Sequence, residues 1–239
     1  MALPLVQQQV SSPWGGDVPS GRDDILARYL RLREISKKLH EEVLNSISSD
    51  ALLNHARRLG LAQGKTLLLD HVDEMYYVYD LAIYTAPSDR SKSIDRYAKS
   101  VKFDTQSDER LMLDAMRRSQ FAILLIEQRH DTAGLIATDI LRNSKVWLLD
   151  IGLESSMDDG ELIATRLLTP GPFSMTAGVN VPFEIEMLEP VCMLLPRRMA
   201  NSKLSRMAED RRFAEAVYRV GLSDGVMDRL AYLDHADGA

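Results

Sequence analysis

Apolar residues near the start of the chain recur at steps of three and four. Ile25, Tyr29, Leu32, Ile35, Leu39, Val43 and Ile47 form one stripe, the signature of a helix that buries a single face. The spacing predicts a helix over 23–47, with Asp23 and Asp24 complementing its positive N-terminal end. Ser48 or Ser49 is placed to cap a second helix over 50–59, which Gly60 ends. A short β-like run, Thr66 to Leu69, precedes a third helix over about 72–85. Asp70 is its expected cap, and Asp73 lies in its first turn. Met75, Val78, Tyr79, Ala82 and Ile83 are its expected buried side, and Pro87 stops it. Shorter helices follow near 91–99 and 107–118.

The period then changes. Phe121 to Glu127 reads FAILLIE, a continuous apolar run that predicts a strand buried on both faces. Four more runs follow: 135–139, 146–150, 161–168 and 173–177. His130–Gly134, Arg142–Ser144, Asp158–Gly160 and Pro170–Pro172 supply the turns. Five short strands with tight connections predict a meander that closes into a small antiparallel β-barrel, which removes exposed edges. Arg166 shares a face with Leu162 and Ala164. If that face is buried, Arg166 needs a carboxylate, and Asp139 or Asp150 is the expected partner. Beyond it, Pro182, Pro190 and Pro196 divide 181–200 into short pieces. A helix is expected over 203–220 and a last one over about 224–235, capped by Ser223.

The expected organisation is therefore α+β. Residues 1–22, rich in Pro and Gly, form a mobile tail. A helical region covers 23–118, the small β-barrel 119–180, and a helical C-terminal extension 181–239.

Part of this pattern resembles a known family. The residues that carry it are Gly134 to Leu141, the strand ending at Asp150, and Asp159-Gly160-Glu161-Leu162-x-Ala164-x-Arg166. The helical stretch YLRLREISKKLHEE, residues 29–42, adds to them. Together they resemble a family of uncharacterised bacterial cytoplasmic proteins, some of which carry a zinc-binding SEC-C tail. The likeness spans roughly residues 25–180. The sequence departs from the tailed members, because Cys192 is its one cysteine and no terminal Cys/His cluster occurs. The resemblance implies the architecture and a cytoplasmic setting, and brings no activity, cofactor or catalytic residue.

Composition narrows the classes further. The 239 residues are 45% hydrophobic and 27% charged, with mean hydropathy -0.18. No apolar run approaches the ~20 residues of a membrane helix, and no basic start followed by an apolar stretch marks a secretory signal. One cysteine excludes an internal disulfide and fits a reducing cytoplasm. The net charge of -6 lacks the basic excess that nonspecific phosphate-backbone binding draws on. Phosphate-cradling glycine loops, a nucleophile elbow and paired metal-ligating histidines are absent from the sequence. No cofactor or metal is implied.

Three functional expectations remain. The leading one is a non-enzymatic cytoplasmic interaction or adaptor protein with a protein partner, contacted through apolar barrel edges, the Trp14 tail or the basic C-terminal segment. That segment carries Arg197, Arg198, Arg206, Arg211 and Arg212. The second is a metal-dependent hydrolase built on Asp70, Asp73 and Asp80. Asp73, Tyr77 and Asp80 sit at steps of four and three, hence on one helical face, where two carboxylates suit a hard cation. The third is a nucleic-acid-associated factor using the same arginines.

Overall fold

The computed structural model describes residues 21–87, 89–200 and 202–223. Trp14 and the expected helix over 224–235 lie outside them. Helix α1, Arg22–Asn45, buries Ile25, Tyr29, Leu32, Ser36, Leu39 and Val43, close to the stripe read from the sequence. Helix α2, Ser49–Leu59, is capped by Ser48, whose side chain accepts from the Ala51 amide, and ends at Gly60 with φ 85°. Strands β1, Ala62–Gln63, and β2, Thr66–Leu67, pair as a small ribbon.

Helix α3, Glu74–Tyr84, begins later than expected. Asp73 occupies its N-cap position without a side-chain cap bond. The Glu74 carboxylate accepts from the Asp70 amide at 3.0 Å instead. Seven of its residues from Tyr77 on are buried except Tyr79, so α3 is a central helix rather than a one-sided one. Helices α4, Ser93–Ser100, and α5, Asp108–Arg117, complete the helical half. Ile94, Tyr97, Met112 and Met116 pack there with Ile25, Leu32 and Ile83.

Strands β3, Gln120–Arg129, β4, Leu135–Asp139, β5, Ser144–Leu148, β6, Leu162–Leu168, and β7, Met175–Phe183, form one antiparallel sheet. Helix α6, Ile151–Ser156, lies between β5 and β6 in sequence. The strand order is β5-β4-β3-β6-β7, so FAILLIE is the central strand. Its alternate residues serve two cores. Phe121 and Ile123 pack with Val181, Phe213 and Tyr218. Ala122, Leu124 and Ile126 pack with Leu135, Leu148, Ile163 and Leu153.

The sheet is open, which corrects the barrel expectation. Its edges meet only at a corner, through one isolated parallel bridge between Leu148 and Ser174. Strand β5 spans only five residues before the chain turns into α6. Leu153 of α6 supplies cover on one face, and Phe213, Val217 and Tyr218 supply it on the other. Helices thus provide the burial that closure would otherwise have given. Strand β7 also runs past the expected end at 177, through Pro182. Proline is tolerated there because β7 is an edge strand.

The C-terminal segment consists of a 3₁₀ turn, Ile185–Met187, then α7, Leu188–Met193, α8, Arg197–Ala200, α9, Leu204–Glu209, and α10, Arg211–Ser223. The single helix expected over 203–220 is broken at Asp210, which is extended at φ -76°, ψ 130°. Its carboxylate accepts from the Arg212 amide at 2.9 Å, which starts a new helix there.

Gly134 marks the tightest backbone approach. It has φ 81°, and a Cβ there would lie 2.3 Å from the Leu148 carbonyl oxygen. Gly134→Ala is expected to cost about 2–4 kcal/mol, strain plus a backbone clash. Gly60→Ala, with φ 85° but open space around it, should cost only about 1 kcal/mol. Urea denaturation of the two variants checks this ordering.

Candidate functional site

A buried charge organises the centre of the molecule. Strand β6 places Arg166 at 5% exposure, and α3 places Asp80 at 3%. The guanidinium donates twice, Nε to Oδ1 at 2.7 Å and Nη2 to Oδ2 at 2.8 Å. Neither expected partner serves. Asp139 pairs with Arg142 at 2.7 Å and accepts from the Leu141 amide. Asp150 caps α6 and accepts from the Thr176 hydroxyl at 2.7 Å. Burial opposes the Arg166 charge, but attraction and hydrogen bonds from Asp80 outweigh it and hold the guanidinium charged.

Aromatic rings enclose the pair. The guanidinium carbon lies 4.7 Å from the Tyr84 ring centre and 5.6 Å from that of Phe121. The Tyr84 hydroxyl meets His40 Nε2 at 2.7 Å. His40 Nδ1 lies 2.7 Å from the Ser36 carbonyl oxygen, so Nδ1 carries the proton and Nε2 accepts from Tyr84. Burial holds His40 below its ordinary pKa, with the Ser36 hydrogen bond opposing.

The expected acidic constellation does not assemble. Asp70 and Asp73 are exposed, whereas Asp80 is buried and committed to Arg166. Asp73 takes the N-cap position with helical dihedrals (φ -65°, ψ -20°) and faces solvent, whereas Asp80, two turns on, is drawn inward to Arg166. Among the described residues, no group of three His, Cys, Asp or Glu is placed to hold a metal ion.

Positive charge assembles instead. A cavity of about 720 Å³ opens between the start of β3, the segment after α3, and α8 to α10. Lys92, Arg142, Arg166, Arg198, Arg211 and Arg212 line it, together with Glu209 and Asp210. Arg142 is held by Asp139 and the Phe121 carbonyl. Arg212 is held by Asp210 at 2.6 Å. Among the described residues, Lys92, Arg198 and Arg211 have no ion pair. The Ser119 hydroxyl oxygen is buried at the wall without a hydrogen-bond partner.

The N-terminus of α10 also lines this space, through Arg211, Arg212 and Ala214. A helix N-terminus carries positive potential and favours anions, so two arginines there run against the dipole. Neighbouring groups register the field. His55 is pushed down from 6.5 to about 4, first by burial and then by Arg58 and Arg211. Lys92 is lowered by burial, then by Arg166.

Of the basic residues singled out in the sequence, Arg198, Arg211 and Arg212 converge on this cavity. Arg197 and Arg206 are exposed and do not line it. Lys92, Arg142 and Ser119 were missed. They come from segments far apart in sequence, and no spacing links them. The signal within reach was Asp210 before two arginines, an N-cap that puts both at a helix start.

A second cavity of about 690 Å³ lies on the other side of Tyr84. Arg33, His40, Tyr76, Tyr79, Ile83 and Val179 are among its walls.

The chain belongs to a family of unknown function, DUF7986, which matches residues 23–229. No curated protein and no solved structure matches it. No helix among the described residues is long and apolar enough to cross a membrane.

Two outcomes follow from the buried groups. Asp80→Asn leaves the Arg166 charge without its counter-ion and should cost about 3–5 kcal/mol in urea denaturation. The double variant Asp80→Leu with Arg166→Met should recover most of that loss. His40 and His55 titrate lower in the folded than in the unfolded chain. The unfolded state therefore binds more protons below an ordinary histidine pKa of about 6.5. Stability should be full above that pH and decline as pH falls towards about 4, the folded value of His55. His55→Gln should flatten this decline in denaturation curves recorded across that range.

Proposed function

We propose that the chain is a non-catalytic cytoplasmic binding protein whose cationic cavity takes an anionic small molecule. The carrying observation is the convergence of Lys92, Arg198 and Arg211, without ion pairs among the described residues, on one concave space. Like charges gathered around one space repel in the free protein, and an anion relieves that repulsion. Charge-assisted hydrogen bonds to such cations contribute about 1.5–3 kcal/mol each. The non-enzymatic role expected from the sequence is kept, and a small anion replaces the expected protein partner.

The shape of the basic surface favours a small ligand over a nucleic acid. Backbone binding needs positive charge spread along a face. Here the cations face into a cavity, and the whole chain carries -6. The lone cysteine, half-buried and with its pKa raised by burial, supports a reducing compartment as the setting.

Calorimetric titration of the full chain with citrate and with inorganic phosphate tests the reading. Saturable binding is expected, weakened at least ~tenfold in Arg198→Glu with Arg211→Glu, the equivalent of losing about 1.4 kcal/mol or more. No binding of either anion, or equal binding by the double variant, overturns it.

A further inference from the structure

We infer that the ligand of the cationic cavity is a small organic phosphomonoester, a dianionic phosphoryl group on an apolar or ring-bearing body. The inference rests on the anion-binding reading above and narrows it by charge, direction and volume.

Charge comes first. Among the described residues, six cations line the cavity. Asp80, Asp139 and Asp210 are ion-paired to three of them, and Glu209 is the remaining lining carboxylate. Six against four leaves an excess of two positive charges. A phosphomonoester carries about -1.5 to -2 near neutral pH and matches that excess, whereas a monocarboxylate leaves half of it uncompensated.

Direction comes second. A planar carboxylate is met well by a single guanidinium fork. The three cations without ion pairs instead come from separate segments: Lys92 just before α4, Arg198 from α8, and Arg211 from α10. Donors approaching from several sides suit a tetrahedral group with three terminal oxygens, and the lysine adds a point charge that tolerates any of them. The buried Ser119 hydroxyl, without a partner, is a further donor at the same wall.

Volume comes third. A space of about 720 Å³ falls in the range of pockets for whole small molecules, not for a bare ion. Pro87, Ala86, Phe121, Ala208 and Ala214 provide carbon surface beside the cations. Burying a ring against such surface adds about tenfold or more in affinity to what the phosphoryl group contributes.

Phenyl phosphate, benzoate, inorganic phosphate and a phosphoserine peptide, titrated into the full chain, test this directly. Phenyl phosphate should bind at least ~tenfold tighter than benzoate, which shares its ring, and at least ~tenfold tighter than inorganic phosphate, which lacks it. Lys92→Gln and Arg211→Gln should each weaken phenyl phosphate at least ~tenfold. Circular dichroism confirms that both variants are folded. Equal affinity for benzoate, equal affinity for inorganic phosphate, or an unchanged Lys92→Gln protein overturns the phosphomonoester. Tighter binding of the phosphopeptide than of phenyl phosphate overturns the small-molecule body. If these anions bind and Arg198→Glu with Arg211→Glu abolishes binding, those failures leave the broader anion reading standing. If none of the anions binds, both fall together.

Discussion

Arg166 stands in the middle of a strand whose other residues are buried or nearly so, and everything around it answers the need to neutralise one guanidinium. Desolvating an arginine costs several kcal/mol unless a counter-ion and hydrogen bonds offset it. Asp80 does this from α3, with two hydrogen bonds in fork geometry. The pair therefore ties the central helix to the sheet at one fixed register and rotation. Leu81 and Val78 can pack against the sheet-side core only if α3 presents Asp80 to β6. Tyr84, one turn on, then falls over the guanidinium and within reach of His40 on α1. A single electrostatic requirement thus orients three elements: α1, α3 and β6.

The same pair shapes the cavity. Arg166 faces it, but its charge is largely spent on Asp80, so the field inside comes mainly from Lys92, Arg198 and Arg211, offset in part by Glu209. Asp210 has a double part. It breaks what would be one helix into α9 and α10, and it turns the new N-terminus, with Arg211 and Arg212 in its first turn, towards the start of β3. Its carboxylate is then consumed by the Arg212 side chain and amide. Arg211 is left to act on its surroundings, which is why a histidine on α2 and an arginine beside it both feel it.

Local rules made much of the fold readable. The stripe from Ile25 to Val43, the Ser48 cap, the left-handed Gly60 and the central FAILLIE strand each depend on neighbours within a few residues. The site was not readable in the same way. Asp80 and Arg166 are 86 positions apart, and an arginine that needs a carboxylate does not say which one in the chain will reach it. Asp139 and Asp150 were nearer in sequence, yet each serves backbone amides in its own turn. The barrel failed for a related reason. Closure depends on whether the edge strands or the helices reach the exposed apolar face first, and that is decided by α6 and α10, outside the strand pattern. The acidic cluster failed for the same reason: nothing local to α3 says that Asp80 is drawn inward by Arg166 while Asp70 and Asp73 stay exposed.

The titratable groups at the centre of the molecule are already engaged with one another. A general base or nucleophile needs a group poised near neutral pH and free to reach a substrate. The buried carboxylate at the centre is held by Arg166, and the buried imidazole accepts from Tyr84 while donating to Ser36. What remains unspent is positive charge, and uncompensated charge is a standing cost in the free protein. Two cations a few ångströms apart near a protein surface repel by roughly 1–4 kcal/mol. On the proposed reading, an anion in the space lined by Arg198, Arg211 and Lys92 would cancel that cost, and by linkage the occupied form would be the more stable one.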